Sequence, residues 1–243
     1  MAEPELIRDQ MVQAALRLRR AVEGLAFAPP VTHVYNPLAY AWEMHTTYLT
    51  QVGCGVKRVL CLGMNPGPFG MVQTGVPFGE IAAVRDWLKL EAPVGRPVRE
   101  HPRRRVLGFA CPRTEISGQR LWGLFAQRFG SPERFFAEHI VINYCPLAFV
   151  EESGRNRTPD KLPAAEQAAL FAACDEHLRD VVEILQPAWL IGIGDFARRR
   201  AEHVLPTSRP RVGQILHPSP ASPAANRDWA GAATRQLQEL GVW

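Results

Sequence analysis

Apolar residues near the N-terminus recur at Leu6, Ile7, Met11, Ala14, Leu18, Val22 and Leu25, with polar and charged positions between them. That spacing follows the period of an α-helix and predicts an amphipathic helix from about Pro4 to Leu25. Pro29 and Pro30 stop it, and Tyr35-Asn36-Pro37 opens a second, aromatic-rich helical segment through Trp42 and Tyr48. Both segments are expected to pack on one side of a sheet.

Four apolar, β-branched runs follow: Val56 to Leu62, Ile140 to Ile142, Ala188 to Ile193 and Val212 to Leu216. Each is nearly continuous, as a strand covered on both faces requires. Between the second and third, Leu170, Phe171, Cys174, Leu178, Val181, Val182 and Leu185 mark one stripe of a long helix from about Pro163 to Leu185, closed by Pro187. Strand, helix, strand in succession indicates a parallel sheet. The expected fold is α/β, a central, mostly parallel four-stranded sheet flanked by helices, in a single domain spanning residues 1–243. The Arg/Pro-rich stretch from Gly95 to Arg113 shows no helical or strand period and reads as an irregular surface insertion.

Composition narrows the class. With 47% hydrophobic and 21% charged residues the chain can bury a core, which excludes a disordered protein. No apolar run reaches the roughly 18 residues of a membrane span, and the N-terminus lacks a signal-peptide pattern. A cytoplasmic location and no membrane partner are therefore expected. Cys54, Cys61, Cys111, Cys145 and Cys174 are odd in number and lack C-x-x-C spacing, so they read mainly as small core residues. No disulfide framework, metal or cofactor is expected. The net charge of +4 suits a polyanionic partner without demanding one. Lysine is scarce: of 28 basic residues, only Lys57, Lys89 and Lys161 are lysines.

Each apolar run ends at a polar or Gly/Pro-rich corner: Gly63-Met64-Asn65-Pro66-Gly67-Pro68-Phe69-Gly70, Asn143-Tyr144-Cys145-Pro146, Gly194-Asp195, and His217-Pro218-Ser219-Pro220. In an open parallel sheet such corners share the carboxyl edge, where ligand crevices form. Asn65, Asn143, Asp195 and His217 can thus converge. The first corner lacks the lysine and hydroxyl of a phosphate loop; it is either a tight structural turn or a place where backbone approaches a ligand. Asn143 can satisfy turn backbone, or it can present an acceptor and a donor pair to a ligand. A lone histidine is more often structural than catalytic. Ser222-Pro223 reads as the N-cap and first position of a C-terminal helix, whose start would face a phosphate well.

At these residues the sequence resembles the single-strand-selective monofunctional uracil-DNA glycosylases, the SMUG branch of the uracil-DNA glycosylase superfamily. The likeness covers Tyr35-Asn36-Pro37-Leu38 with Ala41-Trp42-Glu43, the run from Leu62 to Glu80, Asn143 with Cys145-Pro146-Leu147, Ser153-Gly154-Arg155-Asn156, and His217-Pro218-Ser219-Pro220. It implies the uracil-DNA glycosylase-like fold, with Asn65 positioning the hydrolytic water and His217 supporting charge on uracil O2. Phe78 would stack on the flipped base, and the Asn143 amide would match N3–H and O4 of uracil while opposing cytosine. Met64, Gly67, Pro68 and Met71 would complete the base pocket, with Gly67, Pro68 and Met71 facing C5. Ser219, Pro220, Ala221 and Ser222 would meet the DNA. Ala221 stands where the best-known members carry an arginine, which implies weaker help in opening a duplex.

The resemblance implies a base-excision repair enzyme that hydrolyses the N-glycosidic bond of uracil and C5-modified uracils such as 5-hydroxymethyluracil. Its partner would be single-stranded and duplex DNA, and the protein would be a monomer. None of the three lysines lies in a motif, and Lys57 begins the first strand, far from the carboxyl edge. No Schiff base, and hence no strand cleavage, is expected. Asp195 is a rival general base at a position the family does not use. Phosphate contacts are expected from among the arginines between Arg96 and Arg105, with Arg155, Arg157 and Arg227. The alternatives are a damaged-base-binding module without catalysis and a hydrolase of free nucleosides.

Overall fold

The four continuous apolar runs form one all-parallel sheet in the computed structural model, which describes residues 3–52, 55–206 and 209–243. In chain order the strands are β1 (Val31–Tyr35), β2 (Val59–Gly63), β3 (His139–Asn143), β4 (Ala148–Glu151), β5 (Asn156–Arg157), β6 (Trp189–Ile193) and β7 (Arg211–Ile215). The parallel sheet has the order β3-β2-β6-β7, and its register sets Gly63 beside Asn143. The helices begin with α1 (Glu3–Glu23), α2 (Pro37–Tyr40), α3 (Trp42–Val52) and α4 (Met71–Thr74). They continue with α5 (Ile116–Phe129), α6 (Pro132–Phe136), α7 (Ala164–Leu185), α8 (Asp195–Val204) and α9 (Pro223–Glu239).

Helix α1 buries Ile7, Met11, Ala14, Leu18 and Val22, packing on α3 and α7, while Leu6 from the predicted stripe faces outward. On α7, Leu170, Cys174, Leu178, Val181 and Leu185 turn inward; Phe171 and Val182 are only partly covered. Val56 is exposed and lies outside β2, because Lys57 and Arg58 separate it from the continuous apolar stretch. Lys57 itself is buried, its Nζ donating to the Phe136 carbonyl at the amino end of the sheet. Cys61, Cys145 and Cys174 are buried free thiols and Cys111 is partly exposed; Cys54 lies outside the described residues.

A second sheet, ordered β1-β4-β5 and antiparallel, was not legible in the pattern. Tyr35 ends β1 with its ring buried; its hydroxyl donates to the Arg104 carbonyl at 2.8 Å and accepts the His101 N–H at 2.7 Å. Gln73 pins the same stretch by donating to the Arg105 carbonyl and accepting the Leu107 N–H. The 95–113 segment is irregular as expected, yet it is no loose surface insertion: His101 and Val106 are buried against this sheet. No helix among the described residues is long and apolar enough to cross a membrane.

Candidate active site

At the carboxyl edge of the parallel sheet the corners after β2, β3 and β7 enclose a cleft of about 390 Å³. Asn65, Asn143 and His217 all line it, together with Met64, Gly67, Met71 and Phe78. Three polar side chains from three distant stretches therefore meet, as strand ends in a parallel sheet permit.

Asn143 ends β3, with its side chain almost wholly withdrawn from solvent. The Nδ2 group donates to the Met71 thioether at 3.2 Å, a weak acceptor, and the buried Oδ1 has no hydrogen-bond partner. A buried orphan acceptor costs about 1–3 kcal/mol, so it marks a place built to receive a donor. Gly63 makes this placement possible, because a Cβ there would collide with both Asn143 Oδ1 and the Phe78 ring. Phe78 adopts φ +53, a left-handed conformation rarely taken by a bulky residue. Its ring centre lies 6.2 Å from that of His217, and Gly118 backs directly onto its carbonyl.

The Ser219 N–H donates to His217 Nδ1 at 3.1 Å. In the neutral ring the proton then sits on Nε2, which leaves that nitrogen as a donor. Burial lowers the imidazole pKa to about 4, so the ring is uncharged at neutral pH. Asn65 donates from Nδ2 to the Leu147 carbonyl at 3.1 Å, which orients Oδ1 as an acceptor. Ser219 and Pro220 line the cleft, whereas Ala221 is exposed outside it. Ser222 caps α9 by accepting the Ala225 N–H, so its hydroxyl is already engaged.

Asp195 is not brought in. It opens α8 as an exposed residue bridged to Arg198 and Arg199, each at 2.7 Å, and those guanidiniums hold its carboxyl below the usual range. A strand-end position delivers a side chain to the cleft only when no neighbour on its own helix captures it.

Three lining residues escaped the sequence reading, Glu115, Ser117 and Thr158, and Asn156 was read there only as part of a motif, without a role in the site. Among the lining residues only Glu115 carries a carboxylate. A Cβ on residue 67 would stand 2.5 Å from Glu115 Oε2, so the acid occupies the space a larger residue 67 would need. Glu115 accepts the N–H groups of Phe69 and Ser117, while burial pushes its pKa up. Asn156 Oδ1 is a second buried acceptor without a partner. Arg120, next on α5, donates to the carbonyls of Pro218 and Ser219 and to Asn226 Oδ1. Among the described residues no group of three or more His, Cys, Asp or Glu side chains is arranged to hold a metal.

The sequence profile of the uracil DNA glycosylase superfamily matches residues 50–238. The single-strand selective monofunctional uracil DNA glycosylase of Bos taurus is 47% identical over 98% of this chain and 89% of its own length. Its Mus musculus counterpart is also 47% identical, over 97% of this chain and 85% of its own. The crystal structure of Pedobacter heparinus SMUG2 shares the fold with a TM-score of 0.70 at 16% identity, covering 97% of both chains. The chain belongs to the uracil DNA glycosylase superfamily, in its single-strand-selective monofunctional branch.

Proposed function

We propose that this protein removes uracil, and uracil substituted at C5 with a small polar group, from single-stranded DNA by hydrolysing the bond between N1 of the base and C1′ of the sugar. The observation that carries the reading is the unpartnered Asn143 Oδ1 in the cleft that a neutral His217 also lines. Oδ1 accepts from N3–H of an everted uracil while Nδ2 donates to O4; cytosine reverses both polarities. In a pyrimidine, C2 and C5 face opposite ways. With His217 at O2, the ring directs C5 away from the imidazole, towards the wall of Gly67, Met71 and Glu115.

Breaking the glycosidic bond sends its electron pair into the base and leaves positive character on C1′. A neutral Nε2–H directed at O2 stabilises that charge as it develops, without the ground-state pairing a fixed cation would impose. Phe78 stacks on the base, and Asn65 Oδ1 holds water for attack on C1′. Water supplies the new C1′–OH, its second proton neutralises the departing base anion by way of solvent, and the products are free base and an abasic site. At the C5 wall Gly67 lets the Glu115 carboxylate close in, and that carboxylate offers an acceptor to a hydroxymethyl group. Lys57, buried at the far end of β2, offers no amine to C1′, which favours hydrolysis without strand cleavage. Ala221, exposed and ending in a methyl group, gives a duplex nothing to replace the extruded base, which favours single strands.

The test is base release from matched single-stranded and paired oligonucleotides carrying uracil or 5-hydroxymethyluracil, read by alkaline cleavage. The native protein, Asn65→Ala and His217→Ala are run together, with borohydride present in one arm. Release by the native protein, a loss of at least about a hundredfold in His217→Ala, and no trapped adduct are expected. Binding without release, or release only from free deoxyuridine, overturns the proposal.

A further inference from the structure

Beside the cleft, one aromatic ring carries two cations. Phe69 follows Pro68 in the corner after β2, and its ring centre lies 5.2 Å from Cζ of Arg104 and 4.6 Å from Cζ of Arg113. Arg104 is fixed a second time by donating from Nε to the Gly154 carbonyl at 2.6 Å, which leaves its two terminal amino groups unengaged. Arg113 is exposed. Among the described residues no carboxylate lies within 4.0 Å of either guanidinium, whereas arginines elsewhere, such as Arg17 with Asp180 at 2.6 Å, are bridged to acids.

Two like charges gathered at one ring without a counter-ion repel each other, and the arrangement gains when an anion sits between or across them. A guanidinium held over a ring face keeps its N–H edge available to the side, a presentation that suits the paired oxygens of a phosphodiester. Location narrows the anion further. Phe69 lies between Pro68 and Gly70, both of which line the cleft, so the pair flanks its mouth; the nearby Glu115 carboxylate is engaged by the Phe69 N–H and bridges neither guanidinium. A nucleotide whose base enters the cleft leaves a phosphate on each side of that mouth.

We infer that Arg104 and Arg113, organised on Phe69, form a phosphodiester clamp that grips the single-stranded backbone beside the everted nucleotide. This inference rests on the glycosylase reading only for the identity of the polymer. The clamp sets the register of the strand over the cleft, and base recognition is left to Asn143.

The experiment measures binding of the full-length protein to a single-stranded oligonucleotide bearing a tetrahydrofuran abasic analogue, across a salt series. Native protein, Arg104→Gln, Arg113→Gln, the double variant and Arg17→Gln are compared, each checked by thermal melting. The slope of log K against log salt is expected to shrink by about 0.7 for each clamp arginine replaced and by about 1.4 for both. Arg17→Gln is expected to keep the native slope. Arg104→Lys and Arg113→Lys keep the charge; they should retain most of the slope while weakening affinity, because the stacked fork is lost. Slopes unchanged in the glutamine variants, or an equal loss in Arg17→Gln, overturn the clamp. Uracil release by the native protein on the same backbone separates the two claims: release with unchanged slopes sinks the clamp alone, and reduced slopes without release sink only the glycosylase reading.

Discussion

The guanidinium of Arg120 reaches from α5 to the carbonyl of Pro218, 3.0 Å away and one residue beyond the His217 imidazole. Its other arm holds Asn226 Oδ1 at 2.9 Å, and Asn226 in turn donates to the Pro220 carbonyl at 2.8 Å. The turn that aims His217 is thereby tied at both ends to helices. Arg120→Ala should lower kcat for uracil release by about ten- to a hundredfold with KM little changed, since a misaimed donor loses most in the transition state. Arg120→Lys should recover part of that loss. In a His217→Ala background the same substitution should cost almost nothing further. An equal loss in both backgrounds means that Arg120 does not work through the imidazole.

Asn143 holds an acceptor in reserve at the expense of the free protein. Asn143→Leu removes the orphan Oδ1 and keeps comparable bulk, so it should raise stability by about 1 kcal/mol, following the penalty for a buried unpaired polar group. It should abolish detectable uracil release. Chemical denaturation beside a release assay checks both, and a destabilised variant would show that Oδ1 is satisfied in the free protein.

Acid should act on stability before chemistry. Burial holds His45, His139, His177 and His217 near a pKa of about 4, against an ordinary 6.5. Between those values the unfolded chain binds more protons than the folded one, so stability is full above about pH 6.5 and falls as pH drops towards 4. The urea midpoint should decline across that window. The single-turnover release rate of still-folded protein should stay level from neutral pH down to about 5. An inflection near 6.5 that disappears in His217→Ala would show a ring titrating normally.

Glu115 should decide how a C5 substituent is received. Glu115→Met keeps the length and removes the acceptor, so release of 5-hydroxymethyluracil should fall by about tenfold relative to uracil, the loss expected when a buried hydroxyl has no partner. An unchanged ratio between the two bases assigns the discrimination to backbone groups of the corner instead.

The parallel sheet was legible because strands covered on both faces must be apolar throughout, and Val59–Gly63 and Trp189–Ile193 carry that signature without a break. Strand β1 was not, since Val31 and Tyr35 are buried at its ends while Thr32 and Val34 are exposed and His33 only partly covered. Its partner β4 lies more than a hundred positions away, where only the folded chain reveals the pairing. Asn65, Asn143 and His217 were readable as polar residues at the ends of such strands. The same logic failed for Asp195, whose carboxylate is taken by arginines one turn along its own helix. Glu115 and Arg120 carried no local signal, because their roles exist only through Gly67 and Pro218.

Helix α5 touches the glycine corner through Glu115 at its N-cap, the Phe78 carbonyl through Gly118, and the imidazole turn through Arg120. A helix resists stretching along its axis, because every turn is closed by backbone hydrogen bonds. Three walls of the cleft are therefore gauged by a single rod, and none can recede alone. A base wide enough to press on these walls must move the rod bodily, so tolerance for wide lesions should be set by how firmly α5 is seated on its neighbours rather than by any side chain that touches the lesion.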